Sequence, residues 1–417
     1  MTVLGAARRV AGVAAAGTTI GGLLAGGYLT LIGVAATRSL RRSRETTASG
    51  TATTRFRILV PAHNEEAMIA ETLDSLRSLA YPEDRFEIHV VADNCSDRTA
   101  QIAADTGVHV HVRDAPDRPG KGPALVWLLE RLPEGDPDDV IVVVDADTIV
   151  DPSLLVAFER ALARDHVVQG HYMVRDAEVG GDVGFRAAAL AVRHLVRPAG
   201  RTGLGGSSSL YGNGMAFRER IARSYPWSDD LTEDLDLGLR LLLDGHRVGF
   251  APDAIVAAEM PASREGAVSQ HERWEAGRLR VARKNLPSLT NAAIAGAHGR
   301  RWTYVDAAID IALPPLTTVV AATTVGGIGM AALSNGRVRI VGVGTAAVAL
   351  GLQVVHVLHA LELDGAPPAV RRSLLRAPAQ IVWKSRLLAR VARTQPASWN
   401  RTSREAERPS VPEERTA

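Results

Sequence analysis

The chain has 417 residues, 46% of them hydrophobic and 23% charged, with 48 Lys and Arg against 46 Asp and Glu for a net charge of +2. That length excludes a mini-protein, the hydrophobic share excludes a disordered chain, and the charge gives no sign of a nucleic-acid partner. The single cysteine, Cys95, excludes an internal disulfide framework and a cysteine-based zinc site.

The apolar residues are unevenly spread. Val10 to Ala36 holds no charged residue, about 27 positions against the ~20 needed to span a bilayer. A cleaved signal peptide is the competing reading, with Arg8-Arg9 as its basic start and Val34-Ala35-Ala36 as its cleavage site. The run is longer than the roughly 7–15 apolar residues of a signal core, so 10–36 reads as a retained transmembrane helix. Arg38, Arg41, Arg42 and Arg44 come directly after it, against Arg8 and Arg9 before it. The positive-inside rule then places the chain beyond residue 37 in the cytoplasm. Residues 37–54 read as a basic, flexible linker that ends in the small polar stretch Thr46–Thr54.

Residues 55–262 read as a domain of alternating strands and helices. Arg55–Pro61, Glu87–Ala92, Val108–Val112 and Val140–Val144 have the apolar runs of strands. Glu65–Leu79, Asp97–Thr106 and Lys121–Leu132 have helical spacing. This alternation implies an α/β domain with a mostly parallel sheet covered on both faces. Ligands bind such sheets at the carboxyl ends of strands, where Asp93 and Asp145 fall. Asp145-Ala146-Asp147 comes after a fully apolar strand, and two carboxylates one residue apart suit a hard divalent cation shared with nucleotide phosphates. The plainer reading is a polar strand end. Asp93 suits hydrogen bonds from a base or ribose, while Asp97 caps the next helix and Cys95 is a small buried residue.

Thr232-Glu233-Asp234 opens a leucine-rich helix that Gly245 ends. A first-turn carboxylate is held firmly and suits a general base, although acids there also simply offset the helix dipole. Residues 263–303 read as interfacial helices. Gln270, Arg273 and Trp274 share one helical face, suiting diphosphate oxygens and a sugar ring. Arg278, Arg280, Arg283 and Lys284 suit a helix lying on a membrane, and both readings can hold together. Residues 308–336 and 340–361 read as two further transmembrane helices, since Ile311–Gly336 and Ile340–Leu361 carry no charge. Pro314-Pro315 kinks or starts the first of them. A buried helical hairpin is the weaker alternative. Residues 369–404 form a basic amphipathic segment on the cytoplasmic side, and 405–417 a disordered tail.

Taken together, the motifs resemble a membrane-bound family 2 glycosyltransferase of the cellulose, chitin and hyaluronan synthase branch. They stand in the family's order over roughly 55–404: Pro61-Ala62-His63-Asn64-Glu65-Glu66, the Asp93 strand end, Lys121 in PGKGPAL, Asp145-x-Asp147, Gly212-Asn213-Gly214, Thr232-Glu233-Asp234 and Gln270-x-x-Arg273-Trp274. The resemblance implies a GT-A fold, Rossmann-like and mostly parallel, with transmembrane helices on both sides in sequence. It implies inverting transfer of a hexose or N-acetylhexosamine from a UDP-sugar, with Mg²⁺ or Mn²⁺. By position, Glu65 and Asp93 would contact uridine, Lys121 the nucleotide, and Asp145 the ribose and metal region. Asp147 would hold the metal. Asp234 would be the base, with Glu233 beside it in the catalytic pair. Gln270 and Arg273 would bind diphosphate, and Trp274 would mark the acceptor site. Trp399-Asn400-Arg401-Thr402-Ser403-Arg404 resembles a loop that closes over the nucleotide in some synthases.

The implied partners are a UDP-sugar, a saccharide or glycolipid acceptor and membrane lipid, with no nucleic acid. The implied location is the cytoplasmic membrane, multi-pass, with the catalytic domain facing the cytoplasm. Three spans are few for a polymer channel unless the chain forms a homodimer. The competing functions are single transfer to a lipid carrier, or a silent membrane scaffold on the same fold.

Overall fold

The apolar runs at residues 56–62, 86–93 and 140–143 become three neighbouring strands, because each can bury both of its faces. The structure is a computed structural model, and it describes residues 3–45, 52–228, 232–259 and 264–394. The strands are β1 (Phe56–Ala62), β2 (Phe86–Asp93), β3 (His109–Arg113), β4 (Val140–Val143), β5 (Thr148–Val150), β6 (Val167–Val174), β7 (Met215–Arg218) and β8 (Val248–Ala258). They form one sheet in the order β3-β2-β1-β4-β7-β6-β8-β5.

The strands read from sequence, β1 to β4, are mutually parallel. Across the whole sheet six of the eight strands run the same way, so it is mostly parallel as expected, with β7 and β5 reversed. β7 runs antiparallel to both β4 and β6, and β5 runs antiparallel to β8, while β6 and β8 are parallel. The result is a mixed sheet. The reversal comes from the connections, since β7 enters between β4 and β6 after a long helical excursion instead of a simple crossover.

The helices are α1 (Val3–Glu45), α2 (Ile69–Arg77), α3 (Thr99–Asp105), α4 (Lys121–Leu129), α5 (Leu154–Leu162), α6 (Gly181–Leu190), α7 (Arg197–Gly203), α8 (Glu219–Ser224), α9 (Glu233–Leu243), α10 (Arg264–Ala295), α11 (Arg301–Ala312), α12 (Leu316–Leu333), α13 (Gly336–Leu363), α14 (Pro368–Ser373) and α15 (Ala377–Thr394). Alternate residues of the central strands feed two cores. Ile58, Val60 and Val142 pack with Leu73 of α2 and Phe158 of α5. Leu59, Ile141 and Val143 pack on the opposite face with Leu125 of α4 and Leu237 of α9. The sheet is therefore covered on both sides, as the continuous apolar strands require.

Among the described residues, three helices are long and apolar enough to cross a membrane, spanning Ala7–Glu45, Leu316–Leu333 and Gly336–Leu363. One is N-terminal and two are C-terminal. Pro315 precedes the first residue of α12, so the proline pair starts that helix without kinking it. Small residues let these helices meet closely. A Cβ on Gly22 would lie 2.1 Å from Thr323 Oγ1, and Gln353 Nε2 donates to the Gly22 carbonyl at 3.2 Å. The part of the linker at 46–51, the tail and the Trp399–Arg404 segment lie outside the described residues.

Between β6 and β7 the chain runs through α6, a π-helical stretch (Ala191–Val196) and α7. This segment packs on α1 and α13, with Val192, Leu195, Val196 and Ala199 against Ala36, Leu40 and Ala360. At Gly200 the helices nearly touch, since a Cβ there would sit 2.2 Å from the Ile32 carbonyl oxygen. Gly200→Ala is therefore expected to cost about 1–3 kcal/mol through forced separation of α7 from α1. Thermal unfolding of the detergent-solubilised protein should show the drop, and an unchanged midpoint would contradict this packing.

Candidate active site

Two asparagines with left-handed backbones fold the loops after β1 and β2 together. Asn64 has φ 55° and Asn94 φ 51°, a region that asparagine tolerates better than most residues. Asn64 Oδ1 accepts from Ser96 N at 2.7 Å, and Asn94 Oδ1 accepts from Ala115 N at 2.7 Å. His63 and Glu65 are thereby held beside Asp93 on a cleft of about 360 Å³. His63 Nδ1 lies 2.7 Å from the Asp93 carbonyl oxygen. The Asp93 carboxylate, buried, is met by Arg113 and Asn94 on one oxygen and by Gly120 N at 3.3 Å on the other. It therefore fixes the loop that leads into Lys121, a duty the sequence did not suggest. Cys95, expected to be buried, is half-buried, with Asn64 N 3.5 Å from its sulfur.

β4 delivers Asp145 and Asp147. Ala146 between them is buried, and both half-buried carboxyl side chains line the cleft. The Gly212-Asn213-Gly214 turn explains itself here. Gly212 and Gly214 have φ of 82° and 64°, conformations that favour glycine. Their turn directs buried Asn213 so that its Oδ1 accepts from Asp145 N at 3.1 Å and its Nδ2 donates to Thr148 Oγ1 at 2.8 Å. Lys121 Nζ donates to the Gly212 carbonyl at 2.6 Å and pairs with Asp145. Burial would lower the Lys121 pKa, but the carboxylates of Asp145, Glu233 and Asp234 outweigh it and hold the ammonium charged.

Glu233 and Asp234 occupy the first turn of α9 and also line the cleft. A Cβ on Gly212 would lie 3.3 Å from Asp234 Oδ2, so only a glycine admits that carboxylate so close without crowding. Burial, reinforced by neighbouring Asp234, pushes the Glu233 carboxyl up to about 8. Burial also raises Asp234, with Lys121 and Arg193 pulling it back. Asp236, one turn further in, is structural: it is buried against Lys284 Nζ at 2.9 Å and Arg240 Nε at 3.2 Å.

Arg273 and Trp274 reach the same cleft from α10. Burial lowers the Arg273 pKa and the nearby Glu233 charge opposes this. The side chain of Gln270 lies outside the described residues. Thus Glu65, Asp93, Lys121, Asp145, Asp147, Glu233, Asp234, Arg273 and Trp274 share one cavity, although they come from the whole length between β1 and α10.

The cleft also holds residues that motif reading missed. Tyr172, His194 and Tyr211 stack in series, with ring centroids 5.2 and 4.1 Å apart. Leu190 and Arg193 stand on the same wall, and Arg278 lies one turn beyond Trp274. One signal was available: Arg193, Arg197 and Arg201 recur every four residues, which puts them on one helical face. Arg201 is fully enclosed, bonded to Asp306 at 2.8 Å and Asp310 at 2.9 Å, and Tyr28 of α1 donates to the same Asp306 at 2.9 Å.

Residues 54–277 match the family model described as glycosyltransferase like family 2, and the chain belongs to that family. Among its relatives is a probable glycosyltransferase YdaM of Bacillus subtilis, 31% identical over 249 residues, covering 55% of this chain and 56% of that protein. The beta-monoglucosyldiacylglycerol synthase of Trichormus variabilis is 34% identical over 198 residues, covering 45% of this chain and 41% of that one. A poly-beta-1,6-N-acetyl-D-glucosamine synthase of Staphylococcus aureus is 25% identical over 228 residues, covering 52% and 53%. The chain thus spans about half the length of the curated relatives it matches. A mannosyltransferase from Pyrobaculum calidifontis, solved with GDP-Man and Mn²⁺, shares the fold at a TM-score of 0.52 and 17% identity, over 84% of this chain and 98% of that one.

Proposed function

We propose that the chain is an inverting glycosyltransferase that moves a hexose or N-acetylhexosamine from a UDP-sugar to a hydroxyl acceptor at the cytoplasmic membrane face. Its product would be a polysaccharide or a glycolipid. The observation that carries this reading is the single cleft in which strand-end carboxylates, Lys121, Arg273 and the first-turn acids of α9 meet. The names of the relatives, which include makers of a glycolipid and of a polysaccharide, support it. The basic residues after α1 and along 369–393 support the cytoplasmic orientation.

In this reading the nucleotide lies across the ends of β1 and β2, near Glu65 and Asp93, with Lys121 on its phosphates. Asp234 takes the proton from the acceptor hydroxyl as its oxygen bonds to the anomeric carbon. The bond from that carbon to the diphosphate oxygen breaks, and the diphosphate leaves with the electron pair. Arg273, together with Gln270, holds the departing charge, and Trp274 borders the acceptor. The Asp145–Asp147 pair suits Mg²⁺ or Mn²⁺. Both donors are hard carboxylate oxygens, and among the described residues no group of three or more His, Cys, Asp or Glu side chains is placed to hold a metal. A cation completed by diphosphate oxygens and water fits that sparse set. When bound, it would neutralise leaving-group charge, so no separate leaving-group acid is needed.

A donor screen tests this reading. UDP release from UDP-glucose, UDP-galactose or UDP-N-acetylglucosamine should require Mg²⁺ or Mn²⁺ and fall by about 100-fold or more on chelation. Release from none of them would reject the function. Sizing the labelled product then separates polymer from single transfer.

A further inference from the structure

Of the four Lys and Arg side chains that line the cleft among the described residues, three already have protein partners. Lys121 is held by Asp145 and the Gly212 carbonyl. Arg278 is held by Glu275 at 3.3 Å and by the Ile311 carbonyl at 3.1 Å. Arg273 also has a protein partner. The guanidinium of Arg193, half-buried on the π-helical stretch, makes no hydrogen bond or ion pair among the described residues. Its charge acts on the carboxylates of Asp234, Glu275 and Asp310, but its N–H donors are left to meet a ligand.

Its position says where that ligand comes from. The segment that turns Leu190, Arg193 and His194 into the cleft presses Val192, Leu195 and Val196 onto Ala36, Leu40 and Ala360. Ala36 ends the uncharged run of α1, and Leu361, packed against Leu190 and Val370, ends that of α13. The Arg193 wall therefore stands where two apolar helices meet polar surroundings, which is the depth of lipid headgroups.

We propose that Arg193 is the acceptor-side anion anchor and that the acceptor is a phospholipid whose headgroup carries free hydroxyls. This rests on the glycosyltransferase reading and names its substrate. A guanidinium presents paired N–H donors that match two phosphate oxygens. Asp234, which lines the same cleft and feels the Arg193 charge, supplies a base, and a base is needed for an alcohol but not for a phosphate oxygen that is already ionised. The hydroxyl therefore becomes the new glycosidic oxygen, its proton goes to Asp234, and the lipid phosphodiester stays intact on Arg193. The stacked Tyr172, His194 and Tyr211 give apolar surface for the rest of the headgroup.

The full chain in phosphatidylcholine vesicles, supplied with Mn²⁺, UDP-glucose, UDP-galactose and UDP-N-acetylglucosamine, tests this. The vesicles carry phosphatidylglycerol, diacylglycerol or a polyprenyl phosphate, and products are read by mass spectrometry of extracted lipid. Transfer is expected to phosphatidylglycerol. Arg193→Gln should raise its half-saturating mole fraction roughly tenfold or more, with the half-saturating donor concentration moving less than twofold, and Arg193→Lys should recover part of the loss. UDP binding and the unfolding midpoint of each variant confirm that it is folded. Preferred transfer to diacylglycerol or polyprenyl phosphate, or equal acceptor saturation in the Arg193→Gln protein, overturns the proposal while leaving the glycosyltransferase reading intact. No transfer from any donor to any acceptor overturns both.

Discussion

Asp234→Asn is expected to abolish sugar transfer, with a loss of about 100- to 10,000-fold in turnover and little change in donor binding. The substitution keeps the shape of the side chain and its place in the first turn of α9, so the fold should stand. What it removes is the ability to take a proton. Burial raises the Asp234 pKa, which makes it a stronger base, while the Leu235 backbone hydrogen bond and the charges of Lys121 and Arg193 oppose the rise. Glu233 differs, because burial and the adjacent Asp234 push it to about 8, so that below that pH it mainly keeps its proton. Glu233→Gln should accordingly be much milder than Asp234→Asn. Labelled-sugar transfer and UDP titration of both variants check this, and a fully active Asp234→Asn protein would remove Asp234 from the mechanism.

Asp147→Ala is expected to be as severe, by a different route. Asp147 is half-buried at a strand end, where its Oδ1 accepts a long bond, 3.4 Å, from the neighbouring Thr148 hydroxyl. Truncation of a half-buried side chain outside the apolar core should change stability little. Asp145 is engaged by Lys121, and in the proposed mechanism Asp147 is the main ligand of the cation. Losing it should cut transfer by roughly 1,000-fold or more and abolish the Mn²⁺ dependence of UDP binding. Wild-type transfer in this variant would reject the metal assignment.

The strands that carry Asp93 and Asp145 were legible because a parallel strand buried on both faces is a continuous apolar word that stops where the ligand begins. β5 to β8 were not, because their order depends on which helices intervene and on pairings between distant segments. The nine described motif residues that meet in the cleft were legible as short strings, yet their supports were not. Arg113 beneath Asp93, and Asn213 behind Asp145, are 20 and 68 residues away in sequence. Half-buried Tyr28 and buried Arg201 and Asp306 form one cluster from three remote helices, which no local pattern of the sequence announces. Arg193 stood outside every motif: its fourfold spacing with Arg197 and Arg201 put the three on one helical face, but only folding sets which wall of the cleft that face meets.

The joining of α1 to the C-terminal helices has a consequence in time. The carbonyl of Gly22 waits for the amide of Gln353, which emerges 331 residues later. At ordinary synthesis speeds that is a delay of roughly 20–60 s. The Arg193 wall leans on α1 and α13 together, so the cleft has its nucleotide end long before its opposite bank is braced. A ribosome that stalls or ends short of α13 would leave a polypeptide with every donor motif present and one side of the groove unsupported.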